Sequence, residues 1–211
     1  MPIQSLTISR SLEIKHRKLD LLWVAVSMVL AVFTWRYAVP DAYTPIWLFV
    51  ALHIQSALIF AIRQPARYST KRPLEILVTL LSLTYFLAFE LEPSSWAVLA
   101  LLGGVVTAIG SLMTIISIQC LGRSFAVLPS LRDIRTSGMY RFVRHPIYLS
   151  YIVASLGTLM RHPSLYNSSV VLAGVVLMMW RIRFEERLLA QDEIYRNYMD
   201  GVRYRLIPGL Y

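Results

Sequence analysis

Six apolar runs, separated by connections rich in arginine and lysine, set the limits on what this chain can fold into. They extend over residues 21–39, 46–62, 74–91, 96–121, 147–160 and 170–182. Crossing about 30 Å of hydrocarbon takes about 20 helical residues, because every backbone N–H and C=O must find its partner inside the segment. The first and fourth runs reach that length, and the fifth is short. Across its 211 residues the chain is 56% hydrophobic and 16% charged, with a mean hydropathy of +0.55. That is too apolar for a surface facing water.

The cations give the direction of threading. Of 21 Lys and Arg, four precede the first run, four lie in 63–72, five in 122–145 and six from Arg181 onward. Only Arg36 and Arg161 fall in the alternate connections, where Asp41, Glu90 and Glu92 gather. The positive-inside rule then predicts an all-α integral membrane protein of about six transmembrane helices. Both termini are expected on the cytoplasmic side, with a helical C-terminal extension there. A re-entrant fifth segment is the alternative, and it puts the basic tail outside. The same rule accounts for the net charge of +9, so no nucleic-acid partner is expected. The arm carrying Arg10, Lys15, Arg17 and Lys18 leads into a run as long as a span without an evident cleavage site, so that run is expected to stay in the membrane.

Pro40, Pro45, Pro65, Pro73, Pro93 and Pro163 punctuate the ends of the runs. Residues 1–211 read as a single membrane domain, with N-terminal spans over 1–94 and a functional core over 95–211. The division follows a change in composition near Leu121, beyond which most of the interfacial polar residues lie. Gly103, Gly104 and Gly110 inside the fourth run read as small residues for close helix approach. No GxGxxG follows a strand, and there is neither a GxxxxGK[ST] loop nor an HExxH. Cys120 is the sole cysteine and reads as inert packing. His16, His53, His145 and His162 are too scattered to suggest a metal. His53 and Gln55 read first as structural hydrogen-bonding groups between helices, and Glu90 and Glu92 as a solvated edge.

Two stretches carry chemistry. In RTSGMYRFVRHPIYLSYI, Arg135 to Ile152, Pro146 suits the first turn of a helix because its fixed φ fits and its missing N–H has no partner there anyway. His145 then becomes the cap residue, where Ser, Thr, Asp or Asn would serve better. The histidine is therefore expected to serve something besides starting a helix. In WRIRFEERLL, Trp180 to Leu189, Arg181 and Glu185 share a helix face, as do Ile182 and Glu186. Taken singly, these are an interfacial histidine among snorkelling arginines and an ordinary ion pair. Together they predict a pocket at the cytoplasmic rim, one wall facing water and the other lipid, where a soluble cofactor meets a lipidic substrate.

The blocks LGRSF at 121–125, TSGMYRFVRHPIY at 136–148, Arg181 with EERLL at 185–189, then Tyr195, Tyr198 and RLIPGLY at the end resemble the isoprenylcysteine carboxyl methyltransferase family and its wider group of membrane methyltransferases. The match covers about half the chain. It implies S-adenosylmethionine (SAM) as cofactor, held by Arg132, Asp133, Ile134 and Arg135, by Tyr140, by the block His145, Pro146, Ile147 and Tyr148, and by Glu185 with Glu186 beside it. It also implies that Arg181 contacts the acceptor, with Arg144 as the second catalytic candidate. A glutamine found in the family's connector has no counterpart in AVLPSLRDIR, and the Phe-Gly before the paired tyrosines is replaced by AQDEI. The resemblance makes carboxyl O-methylation of a lipophilic acceptor from the bilayer the expected reaction, with membrane lipids as surroundings, in a bacterial or archaeal cell membrane. A carboxylate is ionised at pH 7 and needs no general base. The other readings are phospholipid N-methylation, a nicotinamide-dependent membrane reductase with a similar core, and a non-catalytic protein whose basic connections bind anionic headgroups.

Overall fold

The computed structural model describes residues 20–32, 46–92 and 96–211. The N-terminal cations, Arg36, Pro40, Asp41, Pro45 and Pro93 lie outside the described residues. The helices are α1 (Asp20–Val32), α2 (Ile46–Ile62), α3 (Pro73–Thr84), α4 (Ala97–Leu121), α5 (Pro146–Arg161), α6 (Leu165–Leu189) and α7 (Glu193–Gly201). Short 3-10 turns follow α3 at Tyr85–Ala88 and α4 at Gly122–Ser124, and a third precedes α5 at Gly138–Arg141.

The first six helices alternate in direction, as contacts at their ends show. Asp20 at the start of α1 pairs with Arg63 just past α2, and Trp23 stacks on Phe60. At the same end the Gln64 N–H donates to the Arg123 carbonyl after α4 (3.0 Å). The Arg144 and His145 N–H groups before α5 reach the tail beyond α7. At the opposite end, Asn167 near the start of α6 bonds both the N–H and the carbonyl of Glu90 (3.0 and 2.9 Å) and the His162 carbonyl (2.7 Å). The His162 ring nitrogen Nδ1 lies 2.6 Å from the Glu92 carbonyl. The connections containing 63–72, 122–145 and the tail therefore meet at one end of the bundle, and Glu90 and Glu92 lie at the other. The backbones of Glu90 and Glu92 are clamped rather than left to water. Replacing the buried Asn167 by Ala frees three backbone groups, and we expect a loss of about 2 kcal/mol, read as a lower thermal midpoint in detergent.

Of the described helices, α4 and α6 are each long and apolar enough to cross a membrane unaided. Helices α2 and α5 have 17 and 16 residues, about 26 and 24 Å of rise. The expectation of about six spans thus corresponds to two full-length helices and a set of shorter apolar ones. Helix α6 is longer than its apolar run because Ser164 caps it, accepting from the Asn167 N–H at 2.9 Å. This satisfies polar groups in the first turn.

The largest helix contact is the antiparallel pair α4 and α5. Gly103, Thr107, Gly110 and Thr114 repeat every three or four residues along α4 and face Arg161, Gly157, Ala154 and Ser150 of α5. A methyl group at Gly110 would sit 2.5 Å from the Ala154 nitrogen, and one at Gly103 would sit 2.6 Å from the Gly157 carbonyl. Small residues let the two backbones touch. The Thr114 and Ser150 hydroxyls, 2.7 Å apart, bond across the seam. Gln55 ties α2 to the same helix through the Ile115 carbonyl (2.8 Å).

Two loops from opposite halves of the sequence pair at the cation-rich end. Strands β1 (Tyr68–Ser69) and β2 (Ser130–Leu131) are antiparallel, Tyr68 opposite Leu131 and Ser69 opposite Ser130. The Arg67 and Thr70 N–H groups extend the ladder to the Leu131 and Pro129 carbonyls (2.9 and 3.0 Å).

Candidate functional site

A cavity opens under this β pair. Its walls come from the 124–135 loop, the 3-10 turn carrying Tyr140, the first turns of α5, the last turns of α6 and the inner face of α7. Leu83 of α3 and Leu121 of α4 complete it. Gly138 places Tyr140 there: its φ of 62° is a left-handed value, and a Cβ at that position would run into the Cys120 sulfur.

His145 occupies the N-cap of α5, but its side chain does not cap the helix. The ring stacks on Tyr148 (centroids 5.4 Å apart, 15° between planes) and lies 3.2 Å from Glu186 Oε1 through Nε2. Its Nδ1 lies 3.8 Å from Glu185 Oε2. Tyr148 donates its hydroxyl proton to Glu185 Oε1 at 2.6 Å. Arg181 is 3% exposed. It donates from Nη1 to Ser82 Oγ (3.2 Å) and from Nη2 to the Val127 carbonyl (2.6 Å), and its guanidinium sits 4.9 Å above the Tyr148 ring. Its Nε is buried with no protein acceptor.

The 132–135 loop brings a second buried guanidinium. Arg132 is 7% exposed, and neither its Nε nor its Nη1 has a protein acceptor. Burial, helped by the nearby Arg63 cation, pushes its pKa down to about 10. Asp133 is engaged by Arg67 (3.0 Å), which also reaches Asp192, the cap of α7 (3.7 Å). Ile134 packs on the cluster of Tyr140, Tyr195 and Tyr198, while Arg135 lines the rim. Burial pushes all three tyrosine hydroxyls above their ordinary range, and for Tyr140 and Tyr195 the Glu185 carboxylate adds to it. They therefore remain neutral donors. The Tyr198 hydroxyl bonds the Tyr140 carbonyl, and that of Tyr195 is buried without a partner.

Eleven of the thirteen site residues expected from sequence thus surround one cavity. Pro146 is fully buried and turns the chain into α5. Glu186 lies outside the cavity: one residue along a helix rotates a side chain by about 100°, so Glu185 faces the cavity and Glu186 faces the tail. Arg144 lines the cavity, but its Nε is held by Glu186 (2.8 Å) and its Nη1 by the Val202 and Arg203 carbonyls (2.8 and 3.0 Å). Through these two nitrogens its guanidinium holds the tail. Ser82, Val127, Tyr151 and Leu83 were missed in sequence. Ser82 and Leu83 come from α3, far away in sequence, whereas Tyr151 lies one turn after Tyr148 on α5, a spacing that could have marked it. Among the described residues no group of His, Cys, Asp and Glu is arranged to hold a metal ion.

The pattern of the phospholipid methyltransferase family matches residues 98–197, the stretch that supplies α4, the 124–135 loop, α5, α6 and the first half of α7. The matched stretch is just under half of the chain. The structure of the eukaryotic intramembrane Ras methyltransferase ICMT (isoprenylcysteine carboxyl methyltransferase) is similar in fold, with a TM-score of 0.50 at 21% identity over 90% of this chain and 75% of that one. No curated protein matches. The family segment holds most of the cavity wall, but Leu83 precedes it and Tyr198 follows it.

Proposed function

We propose that this protein is a SAM-dependent carboxyl O-methyltransferase acting on an isoprenylcysteine-like lipophilic acid. The observation that carries the reading is a pair of buried guanidiniums, Arg132 and Arg181, with N–H groups left open in one cavity. An acid entering from the bilayer would supply the acceptor missing at Arg181, with its hydrocarbon part among Leu83, Ile147 and Tyr151.

The donors suit the cofactor as well. The methionine end of SAM carries a carboxylate, for which Arg132 is open, and an ammonium, for which Glu185 is placed. The Tyr195 hydroxyl is free for a further polar group, and Tyr140 and His145 form the adjacent wall. When bound, SAM supplies an electrophilic methyl group on a sulfonium. Arg181 would fix the acceptor carboxylate, by a charge-assisted bond from Nε. Tyr148 under that guanidinium and the Val127 carbonyl keep it from swinging away. With the nucleophile already ionised, the protein's part is orientation and exclusion of water.

The family description favours a second reading, N-methylation of a phospholipid amine. An ammonium must first give up a proton, and Glu185 or His145, which both line the cavity, would have to serve as the base. The two reactions separate on alkaline treatment. Purified protein incubated with methyl-labelled SAM and a panel of prenylcysteine acids, fatty acids and phosphatidylethanolamine should label an acid, and mild base should release the label as methanol. Turnover should stay nearly flat down to about pH 5, where a carboxylate is still ionised. Base-stable label in phosphatidylethanolamine, with turnover falling as the medium is acidified, would overturn the carboxyl reading.

A further inference from the structure

The chain beyond α7 closes on itself. The N–H groups of Leu206 and Ile207 both donate to the Tyr211 carbonyl (2.8 and 3.0 Å), and the Tyr211 N–H returns to the Ile207 carbonyl (3.1 Å). Gly209 makes the turn at a φ of 83°, and the Arg205 guanidinium covers the Tyr211 ring at 5.1 Å. This buckle is fastened to the turn that starts α5. The Arg144 N–H donates to the Tyr204 carbonyl (2.9 Å) and the His145 N–H to the Arg205 carbonyl (2.8 Å). Arg205 Nε donates to Glu186 Oε2 at 2.8 Å. The other oxygen, Oε1, accepts from Arg144 Nε and faces His145 Nε2.

Glu186 between two guanidiniums is an ionised acceptor, so the proton on the facing ring nitrogen belongs to His145. With Nε2–H committed to Glu186, Nδ1 is left toward Glu185 on the cavity side. The charged and titratable groups around the ring are Glu185 and Glu186 from α6, Arg144 from its own turn, Tyr148 from α5, and Arg205 acting through Glu186. If Arg205 is removed, Glu186 loses the bond that fixes its second oxygen and can rotate off the ring.

We propose that Glu186 and Arg205 are positioning residues that transmit the geometry of the C-terminal buckle to His145, holding the Nε2–H tautomer and presenting Nδ1 to the cavity. Neither touches the cavity contents. The affinity measurement below rests on the cavity being a SAM site, and the spectroscopic one does not. Protein with 15N-labelled imidazoles, in detergent micelles at neutral pH, is compared with Arg205→Met and Arg205→Lys, and His145→Ala assigns the signal. Wild type and Arg205→Lys should show His145 with a protonated Nε2 and a bare Nδ1, whereas Arg205→Met should show the two nitrogens moving toward an exchange average. SAM titration of the same proteins should show about tenfold weaker binding for Arg205→Met, the value of one charge-assisted hydrogen bond, and no further loss when Arg205→Met is added to His145→Ala. Imidazole signals unmoved by Arg205→Met, or equal affinity losses with and without the histidine, overturn the relay. A wild-type protein that binds no SAM strikes the cofactor assignment alone, because the nitrogen signals still decide the relay.

Discussion

Arg181→Lys should lower kcat/KM for methyl transfer by at least about a hundredfold, close to 3 kcal/mol of lost transition-state stabilisation. The native guanidinium spends two nitrogens on Ser82 and the Val127 carbonyl and lies over Tyr148, which leaves Nε for a ligand. A lysine ammonium has no planar fork, so it cannot satisfy the same partners and still address an incoming carboxylate. In a site this buried it also tends to shed its proton. SAM affinity should persist, because Arg132, Glu185 and Tyr195 are unchanged, and the thermal midpoint measured alongside separates a chemical loss from an unfolded sample. Turnover by the lysine variant close to wild type would remove Arg181 from the chemistry.

Gly157→Leu should be the most damaging single change outside the cavity. Even the first carbon of a side chain there would run into the Thr107 nitrogen and come within 2.5 Å of Thr107 Oγ1 and 2.7 Å of the Gly103 carbonyl. All but one of these are backbone atoms, so no rotamer change relieves the collision. Overpacking of a well-filled contact costs about 1–3 kcal/mol and more where the backbone must move, and here the two helices framing the site would have to part. The expected readouts are a thermal midpoint lowered by many degrees and aggregation on size exclusion in detergent. Gly157→Ala should fall between the two. A leucine variant with the wild-type midpoint would show that α4 and α5 do not depend on close approach.

Much of this arrangement is legible in the residues. The apolar runs, the prolines that end them and the alternation of cation-rich connections anticipate helices that reverse direction and gather arginines at one end. The misfit between histidine and an N-cap role anticipates a side chain with another task, and the ring is found against Glu186 and Tyr148. Other features leave no trace in the sequence. Glu185 and Glu186 are chemically identical neighbours, and which of them faces the cavity depends on where Arg144 and Arg205 lie in space. Strands of two residues have no pattern long enough to read, so the pairing of 68–69 with 130–131 is invisible in the sequence. Arg132 is one arginine among many until its burial and its lack of acceptors single it out. The length of α6 was hidden because its first turn is polar and is satisfied by a cap and by the Asn167 side chain, not by lipid.

The seam between the two short strands has a consequence for what may be cut away. The loop from 124 to 135 is held open by backbone bonds donated from residues 67 and 70, and Arg181 leans on Ser82. A fragment beginning at the family segment would keep nearly all the polar equipment but lose the strut that spreads it. Any smaller relative that dispenses with the first three helices must brace that loop by another means, such as a second protein or an added hairpin of its own.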